Sequence, residues 1–157
     1  RLKDALFGQG IIGAWAGPRS AGTAYVMAHH HIGTIDDGSV GPSGQWGFPR
    51  GGSRFHEGND IFAAQGAPVR APVSGRVEII EGTVGGIQFN LYGNDGVEYL
   101  GSHLDAAGAT GEVSAGDVIG YVGTSGNAAG TTPHLHFGMY GKVGAMNPHP
   151  TLVSNGC

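Results

Sequence analysis

The chain has 157 residues, 39% of them apolar, and a formal net charge of −4. This length and composition fit one compact domain with a sizeable core plus a terminal appendage, and a second full domain is not expected. The eight Lys and Arg residues form no basic run, which argues against a nucleic acid or an anionic membrane surface as partner. The apolar runs are too short to cross a bilayer, so we expect no membrane segment within these residues.

The first part of the chain differs from the rest in composition. Residues 2–12 predict a short helix and residues 23–32 an extended segment, and residues 36–44 (DDGSVGPSG) have the composition of a turn and linker. We therefore predict an N-terminal segment and linker over residues 1–44 and a folded domain over residues 45–157.

Short apolar runs separated by Gly, Asn or Asp dominate the predicted domain. Glycine accounts for 32 residues of the chain, a density that breaks long helices and is typical of short strands joined by tight turns. The motif Gly93-Asn94-Asp95-Gly96 predicts a hairpin turn, since Asn and Gly accept the positive φ that such turns require. The pattern predicts a mostly antiparallel all-β fold, with strands at 69–73, 76–81, 86–92, 96–100, 118–122 and 134–140.

Two histidine-bearing motifs have the spacing of metal ligands. His134 and His136 are two positions apart on a predicted strand, so their side chains point to the same face. His56 and Asp60 form a second pair, in the run HEGND. A catalytic zinc site uses three protein ligands and keeps a fourth position open, so three of these four side chains would bind the metal and one histidine would remain for catalysis.

Three separated segments resemble the lysostaphin-type or LytM-type zinc endopeptidases. They occur in the family's order and with its intervening glycines, and together they cover about residues 46–141. The segments are WGFPRGGSRFHEGNDIFAAQGAPVRAPVSGRV (46–77), YLGSHLD (99–105) and GDVIGYVGTSGNAAGTTPHLHFGMYG (116–141).

The resemblance implies a fold, a cofactor and roles for five residues. The fold is a sandwich of antiparallel sheets, built on a duplicated hybrid motif, with a narrow groove that has zinc at its floor. In the family, the His and Asp of the first motif and the second His of the His-x-His motif bind one zinc, which maps to His56, Asp60 and His136. The two remaining family histidines assist catalysis and map to His103 and His134.

One position departs from the family pattern. The family usually has Tyr two residues before the central His, and this chain has Gly101 there. The five functional positions are nevertheless all filled, unlike those of relatives that lost ligands and act as non-catalytic regulators. Glu57 follows His56 directly, but the helical His-Glu-x-x-His motif is absent because position 60 is Asp, so we interpret Glu57 as a surface residue.

The resemblance also implies a substrate. We expect a zinc-dependent endopeptidase that cuts peptide cross-links of bacterial peptidoglycan, preferably D-alanyl bonds of direct cross-links. The alternatives are a glycyl-glycine endopeptidase and a non-hydrolytic module that binds wall peptide or a partner enzyme. Such a substrate implies an extracytoplasmic location, and because the chain opens at Arg1 rather than Met, we expect any export signal upstream of these residues.

Overall fold

A computed structural model describes residue 44 and residues 46–154. The predicted helix at 2–12, the extended segment at 23–32 and almost all of the predicted linker lie outside the described residues. The boundary at 44/45 therefore stays a prediction. No helix in the described part of the chain is long and apolar enough to cross a membrane.

The described residues form an antiparallel β structure with one short α-helix and one 3-10 turn, at Gly126–Ala128. The prediction of a mostly antiparallel β fold is confirmed. The elements, in chain order, are β1 (Asn59–Phe62), β2 (Pro68–Arg70), β3 (Gly75–Gly82), β4 (Gly86–Gly93), β5 (Glu98–Ala107), β6 (Gly111–Val113), β7 (Val118–Val122), β8 (His134–Gly141), β9 (Gly144–Met146) and α1 (His149–Ser154).

The strands pair in the order β1-β8-β5-β4-β3-β6, with β2 and β7 forming an arm that joins through β5 and with β9 added to β8. Every pairing is antiparallel. Side chains alternate across the central strands, as strand geometry requires. One face supplies buried core residues such as Phe89, Leu135 and Phe137, and residues of the arm such as Ile119 join the same core.

Strand β5 belongs to both parts of the sheet. Residues 98–102 pair with β8, whereas residues 104–107 pair with β7. Between them the register against β4 shifts, because Ile87 faces Leu104 while Phe89 faces Gly101. An advance of two residues along β4 therefore corresponds to an advance of three residues along β5. The extra residue in β5 forms a β-bulge, and such bulges change the direction in which side chains point. His103 lies in this bulge.

The predicted strands agree with the observed ones except at their ends. The strand predicted at 96–100 begins at Glu98 and continues to Ala107, and the one predicted at 69–73 ends at Arg70. The hairpin turn at 93–96 is present, closed by a hydrogen bond from the Gly93 amide to the Val97 carbonyl at 2.9 Å. Gly96 has φ of 82°, the conformation for which Gly was expected there.

Candidate metal centre and catalytic cleft

A short hairpin over residues 47–56 places His56. The Gly47 amide donates to the His56 carbonyl and the His56 amide to the Phe48 carbonyl, both at 2.8 Å. The turn carries Gly51 and Gly52, both with positive φ, so these positions suit residues without a Cβ. His56 is buried at the base of this hairpin, with 6% of its surface exposed.

Strand pairing places Asp60 and His136. In the antiparallel ladder of β1 and β8, Asp60 lies directly opposite His136, so their side chains share one face. Gly58 allows the close approach, because a Cβ there would lie 2.5 Å from the Phe137 carbonyl oxygen and 2.7 Å from Cε1 of His136. Any larger residue at position 58 would push against the His136 ring.

Three side-chain atoms converge where these elements meet. His56 Nε2 and His136 Nδ1 are 2.9 Å apart, and Asp60 Oδ1 lies 3.2 Å from each of them. Zinc with ligand bonds of about 2.0–2.1 Å in a tetrahedron separates its ligand atoms by about 3.3 Å. The observed spacing fits this shell, and two imidazoles with one carboxylate are a donor set that suits zinc. We call these three residues the cradle.

The cradle keeps its carboxylate ionised. Burial alone would raise the pKa of Asp60, but hydrogen bonds and charge interactions with His136 and then His56 outweigh it and hold that pKa below its usual range. Arg50 adds a positive charge, with Nη2 at 4.0 Å from Asp60 Oδ2. The carboxylate is therefore in the charged form that a cation needs.

His103 stands beside the cradle with its orientation fixed. Its amide donates to the Gly85 carbonyl at 2.8 Å, and its ring Nδ1 lies 2.9 Å from the Ser125 carbonyl oxygen. A carbonyl can only accept, so Nδ1 carries the proton and Nε2 is the basic nitrogen. His103 has φ of 66°, a rare conformation for a residue with a Cβ. Burial lowers its pKa to about 4, a shift that the Ser125 bond partly opposes.

His134 faces His103 from strand β8. The two ring centroids are 5.1 Å apart, and His103 is 6.3 Å from the His136 ring. His134 Nδ1 lies 2.8 Å from the Thr132 carbonyl oxygen, so here too Nδ1 carries the proton. The ring of Phe62 packs on His134 at a centroid distance of 5.3 Å. We call His103 and His134 the histidine pair.

A cleft of about 860 Å³ opens over the cradle and the histidine pair. The polar loop at 124–132 forms one wall, through Asn127, Ala128, Thr131 and Thr132. Tyr140 lines the cleft too, and burial raises the pKa of its hydroxyl above the ordinary value of 10, so it remains a hydrogen-bond donor.

The structure thus brings together all five residues that the sequence singled out. Their roles stay predictions. Glu57 is exposed, as expected, but it also lines the cleft. At the atypical Gly101, an added Cβ would lie 2.0 Å from the ring of Phe89. Phe89 comes from the neighbouring strand and fills the space that a side chain at 101 would take, so the departure changes core packing rather than the cleft.

Sequence reasoning missed two residues at the rim. Arg50 and Arg54 line the cleft on the hairpin that carries His56. The sequence did contain a feature that could have indicated them. Arg54 lies two positions before His56, and Arg50 and Arg54 flank a Gly-Gly turn. What the sequence did not reveal was that both side chains line the cleft that opens over the cradle.

Comparison with known proteins gives concordant matches. Residues 54–148 match peptidase family M23. The chain is 39% identical over 123 residues to the L-Ala–D-Glu endopeptidase of Bacillus subtilis, covering 68% of this chain and 38% of that protein. It is 45% identical over 92 residues to a DD-carboxypeptidase/endopeptidase of Neisseria meningitidis, covering 54% of this chain and 20% of that one. The chain therefore spans well under half the length of these relatives.

A solved structure with the same fold is the catalytic domain of lysostaphin from Staphylococcus simulans. The TM-score is 0.61 at 33% sequence identity, and the match covers 70% of this chain and 89% of that domain. The fold described above is therefore that of a known peptidase catalytic domain.

Proposed function

The chain belongs to peptidase family M23, and from this premise we propose that it is a zinc-dependent endopeptidase that hydrolyses peptide cross-links of bacterial peptidoglycan. The observation that carries the proposal is the convergence of three donor atoms, 2.9 to 3.2 Å apart, beside two further imidazoles in one cleft. A purely structural zinc site would be closed by a fourth protein ligand. The described residues bring only three such ligands together here.

His56, Asp60 and His136 would hold one zinc ion per chain. Zinc at such a site polarises the scissile carbonyl and lowers the pKa of a water molecule toward neutrality. The partly buried, ionised Asp60 would supply one negative charge, so the zinc-loaded site would keep a net positive charge toward the substrate.

The histidine pair would move the proton. Because Nδ1 of each ring donates to a backbone carbonyl, Nε2 of His103 and of His134 is the nitrogen able to accept a proton. One ring takes the proton of the attacking water, and a ring of the pair delivers a proton to the leaving amine. The burial that lowers the pKa of His103 keeps it neutral at physiological pH, in the form that a base requires.

For the bond cleaved, we propose the D-alanyl bond of direct cross-links. The name of the Neisseria relative supports this bond, whereas that of the Bacillus relative points to L-alanyl-D-glutamyl bonds, which belong to the same stem peptides. Glycyl-glycine bridges are the alternative within the same chemistry. A non-hydrolytic wall-binding module is less well supported, because all five family positions are filled.

This substrate lies outside the cytoplasm, so we propose a periplasmic, cell-wall or secreted location. The predicted partner is the peptide part of the wall, and no feature of the described residues calls for a nucleic acid.

Digestion of purified wall tests the proposal. Peptidoglycan with direct cross-links and peptidoglycan with glycine bridges are incubated with the zinc-loaded protein, and the fragments are identified by mass spectrometry. We expect new termini at D-alanyl bonds. Release of glycine-ended fragments would support the alternative, and no release by a protein that holds one zinc would favour the binding module.

A further inference from the structure

Two arginines give the rim of the cleft a positive charge. Arg50 and Arg54 both line it, whereas the other Arg and Lys side chains in the described part of the chain lie elsewhere. Arg70 donates to the Gly116 carbonyl and Arg76 pairs with Glu78. Lys142 lines a separate depression beyond Tyr140. Among the described Arg and Lys residues, the two that line the cleft thus both lie on the hairpin that carries His56.

The hairpin fixes these arginines relative to the metal centre. The Arg50 amide donates to the Arg54 carbonyl at 3.0 Å, and Arg54 Nη2 donates to the Arg50 carbonyl at 3.3 Å. The two residues therefore pair with each other across the turn, on the same hairpin as His56. Arg50 also approaches the cradle itself, with Nη2 at 4.0 Å from the outer oxygen of Asp60.

This distance limits which part of a bound peptide Arg50 can reach. One extended residue spans about 3.3–3.6 Å. The Arg50 guanidinium, 4.0 Å from the Asp60 carboxylate, is therefore within about one residue of a peptide bond held over the cradle. Guanidinium groups bind carboxylates through paired, charge-assisted hydrogen bonds. Glu57 and Asp60 are the two acidic side chains in the described part of the chain that line the same cleft, and Asp60 belongs to the cradle.

Stem-peptide bonds offer a carboxylate at this position and glycine bridges do not. In an L-alanyl-γ-D-glutamyl bond, and in a D-alanyl bond to a diamino acid's D-centre, the residue on the amine side carries a free α-carboxylate. In a glycine bridge, the next carboxyl group is consumed in another amide. The chemical difference between the two substrate classes therefore lies within one residue of the scissile bond, which is the span that Arg50 can reach.

We propose that Arg50 and Arg54 form a carboxylate-recognition subsite that selects peptides with a free α-carboxylate next to the scissile bond. This rests on the proposed function and sharpens it. The subsite binds the free α-carboxylate that both stem-peptide bonds have beside them, and it disfavours glycine bridges, which lack this group.

Matched substrates test the subsite. Each of two synthetic peptides, one with each stem-peptide bond, is prepared with the α-carboxyl group beside the scissile bond either free or as the amide. We expect the zinc-loaded wild type to cleave at least one acid with kcat/KM about tenfold to a hundredfold above that of its amide, in keeping with the loss of a charge-assisted hydrogen bond. Arg54→Gln should erase this ratio by raising KM for the acid, and leave the amide rate within about twofold. Arg50→Gln should erase the ratio too, but its loss of charge beside Asp60 is also expected to lower the rates on both acid and amide.

Controls separate the subsite from other effects. Arg76→Gln removes an exposed arginine outside the cleft and should keep the full ratio. Zinc content is measured for every variant, since Arg50 approaches the cradle. Calorimetry with the acid cleavage product gives a readout apart from turnover, and Arg54→Gln should weaken that binding tenfold or more.

Three results would overturn the subsite. They are equal wild-type rates on acid and amide, equal losses on both in Arg54→Gln, and a preference for a pentaglycine peptide over the acids. In each, hydrolysis itself persists and the proposed zinc-dependent endopeptidase activity stands, although the third result would replace the D-alanyl bond with the glycyl-glycine alternative. If no peptide is cleaved by zinc-loaded wild type, the proposed function fails instead, and the calorimetry decides the subsite: product binding that is unchanged in Arg54→Gln overturns it.

Discussion

The cradle and the histidine pair lie side by side in one cleft but are held in different ways. The cradle's three atoms face one another, and paired strands and the base of a hairpin position them. The rings of the pair are each tied to a loop, through the carbonyls of Ser125 and Thr132. Metal binding should therefore depend on the sheet and proton transfer on the loop, so variants should separate the two properties.

The largest effect is expected when the cradle loses a donor. His136→Ala removes one of three donor atoms, so the protein should lose stably bound zinc and all measurable hydrolysis. Elemental analysis and wall digestion are run on the same sample, after circular dichroism shows that the fold persists. His149→Ala is the control, since it removes an imidazole outside the cleft. Full zinc content in His136→Ala would refute the cradle.

The next largest effect is expected from the histidine pair. His134→Ala keeps all three cradle atoms, so it should retain one zinc while the hydrolysis rate falls by about a hundredfold to ten-thousandfold, as for a lost acid or base. His103→Ala should behave alike. Zinc content and rate are compared with those of His136→Ala. If His134→Ala loses its zinc while His136→Ala keeps it, the roles are exchanged.

A glycine tests how tightly the sheet sets the cradle. Gly58→Ala places a Cβ against His136 and the Phe137 carbonyl, so zinc affinity should fall about tenfold to a hundredfold, as for other changes that misalign a ligand. Gly82→Ala is the control, because a Cβ there meets nothing within 4 Å. Competition with a chelator measures both affinities. Equal zinc affinities of Gly58→Ala and Gly82→Ala would mean that the His136 ring moves aside without weakening zinc binding.

The smallest effect is expected in the loop. The Ser125 hydroxyl donates to the Leu104 carbonyl at 2.6 Å and accepts from the Ile87 amide at 3.0 Å. Ser125→Ala removes both hydrogen bonds of this hydroxyl and so loosens the backbone carbonyl of residue 125, which orients the His103 ring. We expect the hydrolysis rate to fall about fivefold, which corresponds to the loss of one neutral hydrogen bond, while the zinc content stays unchanged. Ser114→Ala, an exposed serine outside the cleft, should have no effect. A loss of zinc in Ser125→Ala would show that loop and sheet are coupled.

The sequence predicted most strands closely, including β8 with His134 and His136, but it missed β1 with Asp60 and ended β5 before His103. Strand β7 was predicted to the residue and β3 and β4 to within one at each end, since their apolar runs are bounded by Gly or Asp. Strand β1, which holds Asp60, was missed. Its four residues are too few for alternation to be read, and it is defined by its pairing with β8.

The candidate site was found through motif resemblance, and geometry supplied the rest. Spacing alone left open which three of four residues would bind a metal, and the register of β1 against β8 brings Asp60 to His136 rather than to His134. The bulge and positive φ at His103 could not be foreseen, because they arise where β5 changes partners. Tertiary context overrides local preference at such a residue.

The pairing of β1 with β8 joins parts of the chain that are 76 positions apart. Closing a loop of that length costs an unfolded chain on the order of 4 kcal/mol of entropy. In the proposed zinc-bound form, one ion bonded to Asp60 and His136 acts as a cross-link across this loop. The chain contains one cysteine and thus no internal disulfide, so the ion that serves catalysis would also give the constraint that a disulfide gives elsewhere.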